Sequence, residues 1–271
     1  MKNNKISVIM GIFNCDKYLK ESIESLLSQT YSNFEIIMCD DGSTDDTYKI
    51  ANEFVNKYPN KIKLLKNDKN MGLNYTLNLC LKEAEGTYIA RQDGDDISLP
   101  NRLKKEVEIL DSNEQYSLVS TNMIFFDESG DWGQSHVKEL PSKYDFVKST
   151  PFCHAPCMIR KSVFNDVGGY TVEKELLRVE DLHLWFKIYE KGYIGYNIQQ
   201  ALYKMRDDRD AYKRRKFKYR INEARVKFKG FKSLNIPFKY YIFILRPIIV
   251  GLLPRFIYDI VHRRNLRVIY K

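Results

Sequence analysis

The 271-residue chain contains little glycine, proline or tryptophan, with 13, 8 and 2 residues respectively. This scarcity excludes a collagen-like or low-complexity chain, and 44% hydrophobic residues supply enough apolar side chains for a substantial core. Cysteine is also rare, since five residues are spread along a sequence that opens MKNNKISVIM. Because this opening lacks the apolar stretch of a signal peptide, we expect a cytoplasmic protein with reduced thiols.

The sequence also has no uninterrupted apolar run of membrane-spanning length. Its most apolar stretch, residues 240–262, contains two prolines, two arginines and an aspartate. A spanning helix needs about 20 nearly uncharged residues. A chain of 32.1 kDa instead suits one large α/β domain with an appendage, or two small domains.

Acidic residues are scarce only towards the C-terminus. Residues 1–200 carry 24 Lys/Arg and 30 Asp/Glu, whereas residues 201–271 carry 20 Lys/Arg and 5 Asp/Glu. The net charge is therefore −6 in the first part and +15 in the second. Such asymmetry indicates that the two parts meet different partners, and that the partner of the second part is anionic.

Residues 205–271 interleave these basic residues with Phe, Tyr, Ile and Leu. A helix of this composition has one cationic and one apolar flank, which is typical of segments that lie in a membrane interface. We therefore predict a basic amphipathic helical tail over 205–271 that binds an anionic membrane surface. One alternative is a helical extension that packs on the body with its charges solvated. Nucleic-acid binding is another, but acidic clusters in the body would repel a phosphate backbone, so we expect no nucleic acid.

The first half of the chain alternates short apolar runs with amphipathic patterns of helical period. This alternation is typical of βαβ units around a mostly parallel sheet flanked by helices. The predicted strands are 6–12, 34–39, 62–66 and 87–90, and the predicted helices between them are 17–29, 46–58 and 73–85.

Acidic clusters follow two of these strands. The second strand runs into residues 39–46, CDDGSTDD, and the fourth runs into residues 91–96, RQDGDD. Either cluster alone could be ordinary turn and helix-cap chemistry. Parallel sheets, however, place ligands at the carboxyl ends of strands, and neighbouring carboxylates repel unless a cation neutralises them. The pair of clusters therefore predicts a site for Mg²⁺ or Mn²⁺, the ions that prefer oxygen ligands.

With these clusters, the sequence resembles the family 2 glycosyltransferases, which have the GT-A nucleotide-sugar-binding fold. The resemblance covers about residues 5–200, and its segments are SVIMGIFN, QTYSNFEIIMCDDGSTDDT, the turn 70–73, IARQDGDDISLPNRL, HAPCMIRKSVFNDVGGY and VEDLHLW. It implies a catalytic domain over 1–204, with a nucleotide-sugar part at about 1–100 and an acceptor part at about 101–204.

The resemblance also implies roles for single residues near the donor. Asp40 is expected to accept a hydrogen bond from the base, a uracil imide N–H for a UDP-sugar, and the loop Ile12-Phe13-Asn14 to border the nucleotide. The other expected donor-binding residues are Asp41, Arg91, Asp93, Gly94 and Asp95. The metal, Mn²⁺ or Mg²⁺, is expected on Asp95 or Asp96, and the spacing leaves the choice between these two open.

The pair Glu180-Asp181 matches the family's Glu-Asp pair, in which the aspartate is the usual catalytic base. It would take a proton from the acceptor hydroxyl in a single displacement that inverts the anomeric configuration. The alternative is a pair of first-turn helix carboxylates favoured by the helix dipole. His154 and Trp185 are expected on the acceptor side.

Cys153, His154, Cys157 and His183 also suggest a zinc site, although their spacing is not that of a familiar zinc knuckle, and the cysteines suit a core.

Many members of the family extend a saccharide linked to polyprenyl diphosphate on the cytoplasmic face of the bacterial inner membrane, building capsule, O-antigen or exopolysaccharide. The resemblance implies these partners and this location.

Two other functions stay open on the sequence alone. A sugar nucleotidyltransferase would need a Gly-rich basic phosphate loop, which residues 11–14 do not offer. A noncatalytic membrane or nucleic-acid binding protein could keep the same fold.

Overall fold

The computed structural model describes residues 4–207 and 216–252. The strands in these ranges are β1 (Ile6–Ile12), β2 (Phe34–Asp40), β3 (Ile62–Lys66), β4 (Tyr88–Arg91), β5 (Ile97–Ser98), β6 (Tyr116–Asp127), β7 (Gly130–Gln134), β8 (Met158–Arg160) and β9 (Ile194–Arg206). The α-helices are α1 (Asp16–Leu27), α2 (Thr47–Lys57), α3 (Leu73–Glu83), α4 (Arg102–Ser112), α5 (Lys161–Val167), α6 (Glu180–Glu190), α7 (Phe217–Ser233) and α8 (Arg246–Leu252). Short 3₁₀ helices cover Lys143–Val147, Lys174–Leu176 and Phe238–Leu245.

These strands form one mixed sheet in the order β3-β2-β1-β4-β8-β6-β9-β5, with β7 paired to β6. The first four strands of this order are parallel, as the βαβ pattern predicts. Strand β8 is antiparallel to both of its neighbours, β4 and β6, and β5 is antiparallel to β9. The expected α/β sheet with flanking helices is confirmed.

The core lies in two apolar layers, one on each face of the sheet. Successive side chains of a strand point to opposite faces, so Ile9 of β1 belongs to the layer under α3, α5 and α6, while Val8 and Met10 belong to the layer under α1 and α4. With both faces covered, the central strands are buried along their length, and the polar ligands of a site can lie only at the strand ends.

The predicted tail is only partly covered by the structure, because residues 208–215 and 253–271 lie outside the described ranges. Strand β9 continues to Arg206, two residues beyond the predicted boundary at 204. Helix α7 packs against α6 and buries Val226 and Phe231 in the layer that also contains Trp185. This part of the tail therefore packs on the body, as the alternative interpretation of the sequence has it.

Candidate active site

The loops that follow β1, β2 and β4 meet at one edge of the sheet. In the register of the central strands, Ile12 lies beside Asp40 and Ile9 lies beside Arg91. Adjacent parallel strands end side by side, so the three loops share the edge where α/β proteins bind ligands. The two acidic clusters are brought together by the sheet itself.

The first two loops are tied to each other through Asn14. Its backbone N–H donates to Ser43 Oγ at 3.0 Å, and its Oδ1 accepts from the backbone N–H of Thr44 at 2.9 Å. Asn14 has a φ of 47°, a left-handed conformation that asparagine tolerates better than most residues. Ile12 is buried, whereas Phe13 is 44% exposed. The turn thus presents an exposed aromatic side chain one residue after Ile12, the register neighbour of Asp40.

Asp40 and Asp41 are neighbours with different surroundings. The fully buried Asp40 accepts weakly from the backbone N–H of Ser43, at 3.3 and 3.4 Å from its two oxygens. Asp41 accepts hydrogen bonds from Asn67 Nδ2 at 2.7 Å and from the backbone N–H groups of Met71 and Gly72 at 2.8 and 2.9 Å. The Asp41 carboxylate therefore holds the loop 67–72, and Asp40 has the hydrogen-bonding capacity left for a ligand.

In the loop after β4, Arg91 contacts Asp93 with 2.5 Å between Nη2 and Oδ1. The backbone N–H of Asp93 donates to the Tyr203 hydroxyl at 3.1 Å. A Cβ on Gly94 would lie 2.7 Å from Cys15 Sγ, so glycine is what allows this loop to approach the start of α1. The loop is thereby fixed on both sides.

Asp95 and Asp96 differ in what they contact. Asp96 is 2% exposed, and its Oδ1 accepts from the backbone N–H of Arg206 at 2.7 Å. Asp95 is partly exposed, and burial together with the charge of Asp93 raises its pKa to about 6. A cation beside Asp95 would relieve this unfavourable interaction. Asp96 is oriented to support the loop from within.

A buried arginine that the sequence analysis did not identify supports the same loop from below. Arg102 of α4 donates from Nη2 to the Arg91 carbonyl at 2.7 Å and from Nη1 to Ser98 Oγ at 2.9 Å. It forms an ion pair with Glu106 at 3.3 Å, and both side chains are fully buried. Burial raises the pKa of Glu106 to about 7. The only sequence signal was the i, i+4 spacing of the pair, which is also common on solvated helix faces.

Glu180 and Asp181 form the first turn of α6, and both are partly exposed. Burial and the charge of Glu180 raise the pKa of Asp181 to about 6, against the opposing effect of Arg91. Asp181 Oδ1 accepts from the backbone N–H of Leu182 at 2.7 Å. The Asp181 carboxylate thus accepts one N–H of the helix terminus, and it also has the raised pKa of a group used for proton transfer near neutral pH.

Arg91 interacts with both the loop after β4 and the first turn of α6. Its guanidinium contacts Asp93, and its charge lowers the pKa of both Asp181 and His154. Burial is the largest cause of the lowered pKa of His154, which lies well below its usual value. His154 Nε2 is 2.9 Å from the Tyr170 hydroxyl. The charge of Arg91 therefore acts on the neutral His154 of the His154-Tyr170 pair as well as on Asp93 and Asp181.

Trp185 is fully buried, with its ring edge-on to those of Phe152 and His154 at centroid distances of 5.5 and 5.6 Å. It packs behind His154 in the core and is not at the surface.

The structure favours a core role for the cysteines. Cys153 and Cys157 lie in two different apolar clusters, although only three residues separate them. Within residues 4–207 and 216–252, no three His, Cys, Asp or Glu side chains gather where they could hold a metal ion.

The residues of the loop after β4 suit a Mg²⁺ or Mn²⁺ ion that takes most of its ligands from a substrate and from water. Such ions take one or two protein carboxylates and complete their coordination with water and phosphate oxygens. Asp95, with its raised pKa and its neighbour Asp93, supplies this donor set.

The sequence and the fold are both similar to known proteins. The family described as "Glycosyl transferase family 2" matches residues 7–168. A protein of Bacillus subtilis (strain 168) named as the glycosyltransferase EpsE is 44% identical over 97% of this chain and 94% of its own length. An Escherichia coli relative, the UDP-Gal:alpha-D-GlcNAc-diphosphoundecaprenol beta-1,3-galactosyltransferase, is 30% identical over 97% of each chain.

Among solved structures, residues 1–349 of S. aureus TarS in complex with UDP superpose with a TM-score of 0.68 at 21% identity. The match covers 96% of this chain and 74% of that chain. At this identity the likeness concerns the fold alone, and it confirms the expected GT-A architecture. The family match and the two relatives identify the sequence at a finer level: the chain belongs to the family 2 glycosyltransferases.

Proposed function

We propose that this chain transfers a sugar from a UDP-sugar to a hydroxyl group of a lipid-linked saccharide, with inversion, in the synthesis of a bacterial surface polysaccharide. The observation that carries the proposal is the position of Arg91. It contacts Asp93 on the donor side and acts electrostatically on Asp181 on the acceptor side. This link supports one shared site for donor and acceptor groups, which a displacement between them requires.

The donor is held by the loops after β1 and β2. Buried Asp40 accepts the imide N–H of the base, and the exposed ring of Phe13 lies beside it as an apolar surface for the base. Asn14 fixes this geometry through Ser43 and Thr44. The UDP-Gal named for the Escherichia coli relative and the UDP bound to TarS support a uridine donor.

We assign the metal to Asp95 and a supporting role to Asp96, because Asp96 is buried and already accepts the backbone N–H of Arg206. When bound, Mn²⁺ or Mg²⁺ supplies Lewis-acid stabilisation of the departing diphosphate. Arg91 keeps Asp93 oriented beside Asp95, and Arg102 fixes the backbone of Arg91.

Asp181 acts as the general base. Its carboxylate takes the proton of the acceptor hydroxyl while that oxygen attacks the anomeric carbon from the side opposite the diphosphate. The carboxylate then carries the proton, and one displacement has inverted the configuration. A pKa of about 6 keeps Asp181 ionised at neutral pH and basic enough to share the proton in the transition state.

The acceptor lies towards His154 and Tyr170, whose hydrogen-bonded pair offers polar atoms to a saccharide. The Escherichia coli relative is named for an acceptor that is a GlcNAc linked to undecaprenol through diphosphate. We propose an acceptor of this class, a saccharide on a polyprenyl diphosphate, for the present chain.

The end of the described chain provides a surface for such a lipid environment. Five apolar residues recur at intervals of four and three, and each is between 47% and 84% exposed: Phe238, Ile242, Leu245, Ile249 and Leu252. We call this set the apolar ridge. Lys239 and Arg246 lie within it, and no helix of the described residues is long and apolar enough to cross a bilayer. The ridge therefore suits the interface of an anionic membrane on the cytoplasmic face.

An Ile249→Glu substitution on the ridge is expected to weaken binding to vesicles that contain anionic lipid by about tenfold or more. The variant removes one apolar side chain whose burial in the membrane is worth about 1.5 to 3 kcal/mol, and adds a repelled charge. Co-sedimentation with vesicles measures the effect. Ile194→Glu, at an exposed isoleucine of β9, is the control and should bind as the wild type does. Equal binding by all three proteins would show that the ridge does not bind membranes.

The proposed function is tested by incubating the full chain with a panel of nucleotide sugars and a lipid-linked GlcNAc acceptor. We expect metal-dependent release of UDP together with formation of a longer glycolipid. Release of pyrophosphate from a sugar phosphate and a nucleoside triphosphate would instead show a nucleotidyltransferase. Tight donor binding with neither product would show a noncatalytic protein.

A further inference from the structure

Helix α7 of the tail lies in close contact with α6, the helix that begins with Glu180 and Asp181. At Gly230 the two helices are too close for any side chain, since an added Cβ would lie 2.3 Å from the ring of Phe186. The next residue, Phe231, is fully buried and meets the same ring edge-on at a centroid distance of 6.4 Å. The first helix of the tail is therefore a packed neighbour of the helix that carries the catalytic pair.

A second contact joins α7 to the segment just before that pair. Asn222 Nδ2 donates to the carbonyl oxygen of Leu177 at 3.3 Å, and Asn222 is buried. The peptide unit that contains this carbonyl leads directly into Arg178, which has a φ of 65°. A left-handed conformation is costly for a residue with a long side chain, and it persists where the surroundings hold it.

The choice of asparagine at position 222 also indicates a specific role. Asparagine is a poorer helix former than alanine, because its side chain competes for backbone hydrogen bonds. Position 222 lies inside the 17-residue helix α7, and its side chain donates across to Leu177. The contact between elements is thus made at some cost to the helix that provides it.

We propose that Asn222 is a positioning residue for the catalytic pair, acting through the carbonyl of Leu177 and the left-handed turn at Arg178. This inference rests on the proposed function of Asp181. The orientation of the Leu177-Arg178 peptide sets where α6 begins, and hence where the Asp181 carboxylate lies relative to the acceptor hydroxyl. Without the hydrogen bond from Asn222, the turn relaxes and the base moves away from its productive position.

Asn222→Asp tests the proposal in the full-length chain. The substitution keeps the size of the side chain but replaces the donating amide with a carboxylate that cannot donate to Leu177. We expect kcat for transfer to fall by about tenfold to 100-fold, the usual cost of a misplaced catalytic group. The donor KM should stay within about twofold of the wild-type value, because the donor is bound by the loops after β1, β2 and β4. The pH midpoint of kcat should also move, since the surroundings of Asp181 change.

Two controls separate positioning from a general loss of folded protein. Ser233→Ala removes a hydroxyl at the other end of α7 that donates to the Gly230 carbonyl within the helix, and this variant should keep wild-type kcat. Calorimetric titration with donor should give full stoichiometry for Asn222→Asp, so that kcat refers to folded sites. A wild-type kcat and pH midpoint in Asn222→Asp would overturn the inference. Absence of transfer by the wild type would instead overturn the proposed function.

Discussion

Replacement of Asp181 by asparagine is expected to slow sugar transfer by a factor of about 10² or more while donor affinity stays close to that of the wild type. The asparagine side chain has nearly the same shape but cannot take a proton, and loss of a general base costs at least this much. In the proposed function the donor is bound by the loops after β1, β2 and β4, which the substitution does not touch. Initial rates of glycolipid formation and calorimetric donor titration measure the two quantities.

The control is Glu180→Gln, which removes the neighbouring charge but leaves the base. Since the charge of Glu180 contributes to the raised pKa of Asp181, this variant should transfer sugar at neutral pH with a pH midpoint shifted to lower values. If Asp181→Asn keeps wild-type turnover and Glu180→Gln loses it, the base is Glu180.

The pH dependence of the wild-type enzyme follows from the same carboxylate. A base must be ionised to act, so kcat should rise with pH through about 6 and reach a plateau above it. The measurement requires saturating donor and metal, because a bound cation keeps Asp95 ionised. An Asp181→Asn variant should show no such midpoint in its residual activity.

Replacement of Asp95 by alanine is expected to remove the metal-dependent part of donor binding, a loss of more than about 100-fold in affinity. Substitution of groups that only orient a metal ligand already costs about 10- to 100-fold, and loss of a ligand should exceed this. Calorimetric titration with UDP, with and without Mn²⁺, isolates the metal-dependent part.

Asp96→Ala is the matched control for Asp95→Ala. Asp96 is buried and accepts the backbone N–H of Arg206 at 2.7 Å, so its loss leaves that donor unpaired at the end of β9. We expect a lower melting temperature and retention of a metal-dependent increase in affinity. Unchanged affinity of Asp95→Ala with Mn²⁺, combined with loss of the increase in Asp96→Ala, would assign the metal to Asp96 instead.

Local sequence predicted the strands and helices of the first half because their patterns depend on nearest neighbours. The short apolar run that defines β2 and the helical spacing that defines α3 are visible in short windows, and the structure places both close to the predicted bounds. The expected meeting of the two acidic clusters followed from the parallel order of β2, β1 and β4. The sequence could not separate Asp95 from Asp96 as the metal ligand, because the two differ in their contacts with distant residues.

The sequence by itself therefore determined the parallel strands of the first half, the strand ends at which the acids lie, and the family. Only the tertiary structure decided which carboxylates keep hydrogen-bonding capacity for a ligand. Asp41 accepts a hydrogen bond from Asn67, 26 residues away, and Asp96 accepts one from Arg206, 110 residues away. The tertiary structure also decided that α7 packs on α6, although its composition suggested a membrane surface. Burial of a face depends on whether a complementary surface exists elsewhere in the chain, and Phe186 supplies one at Gly230.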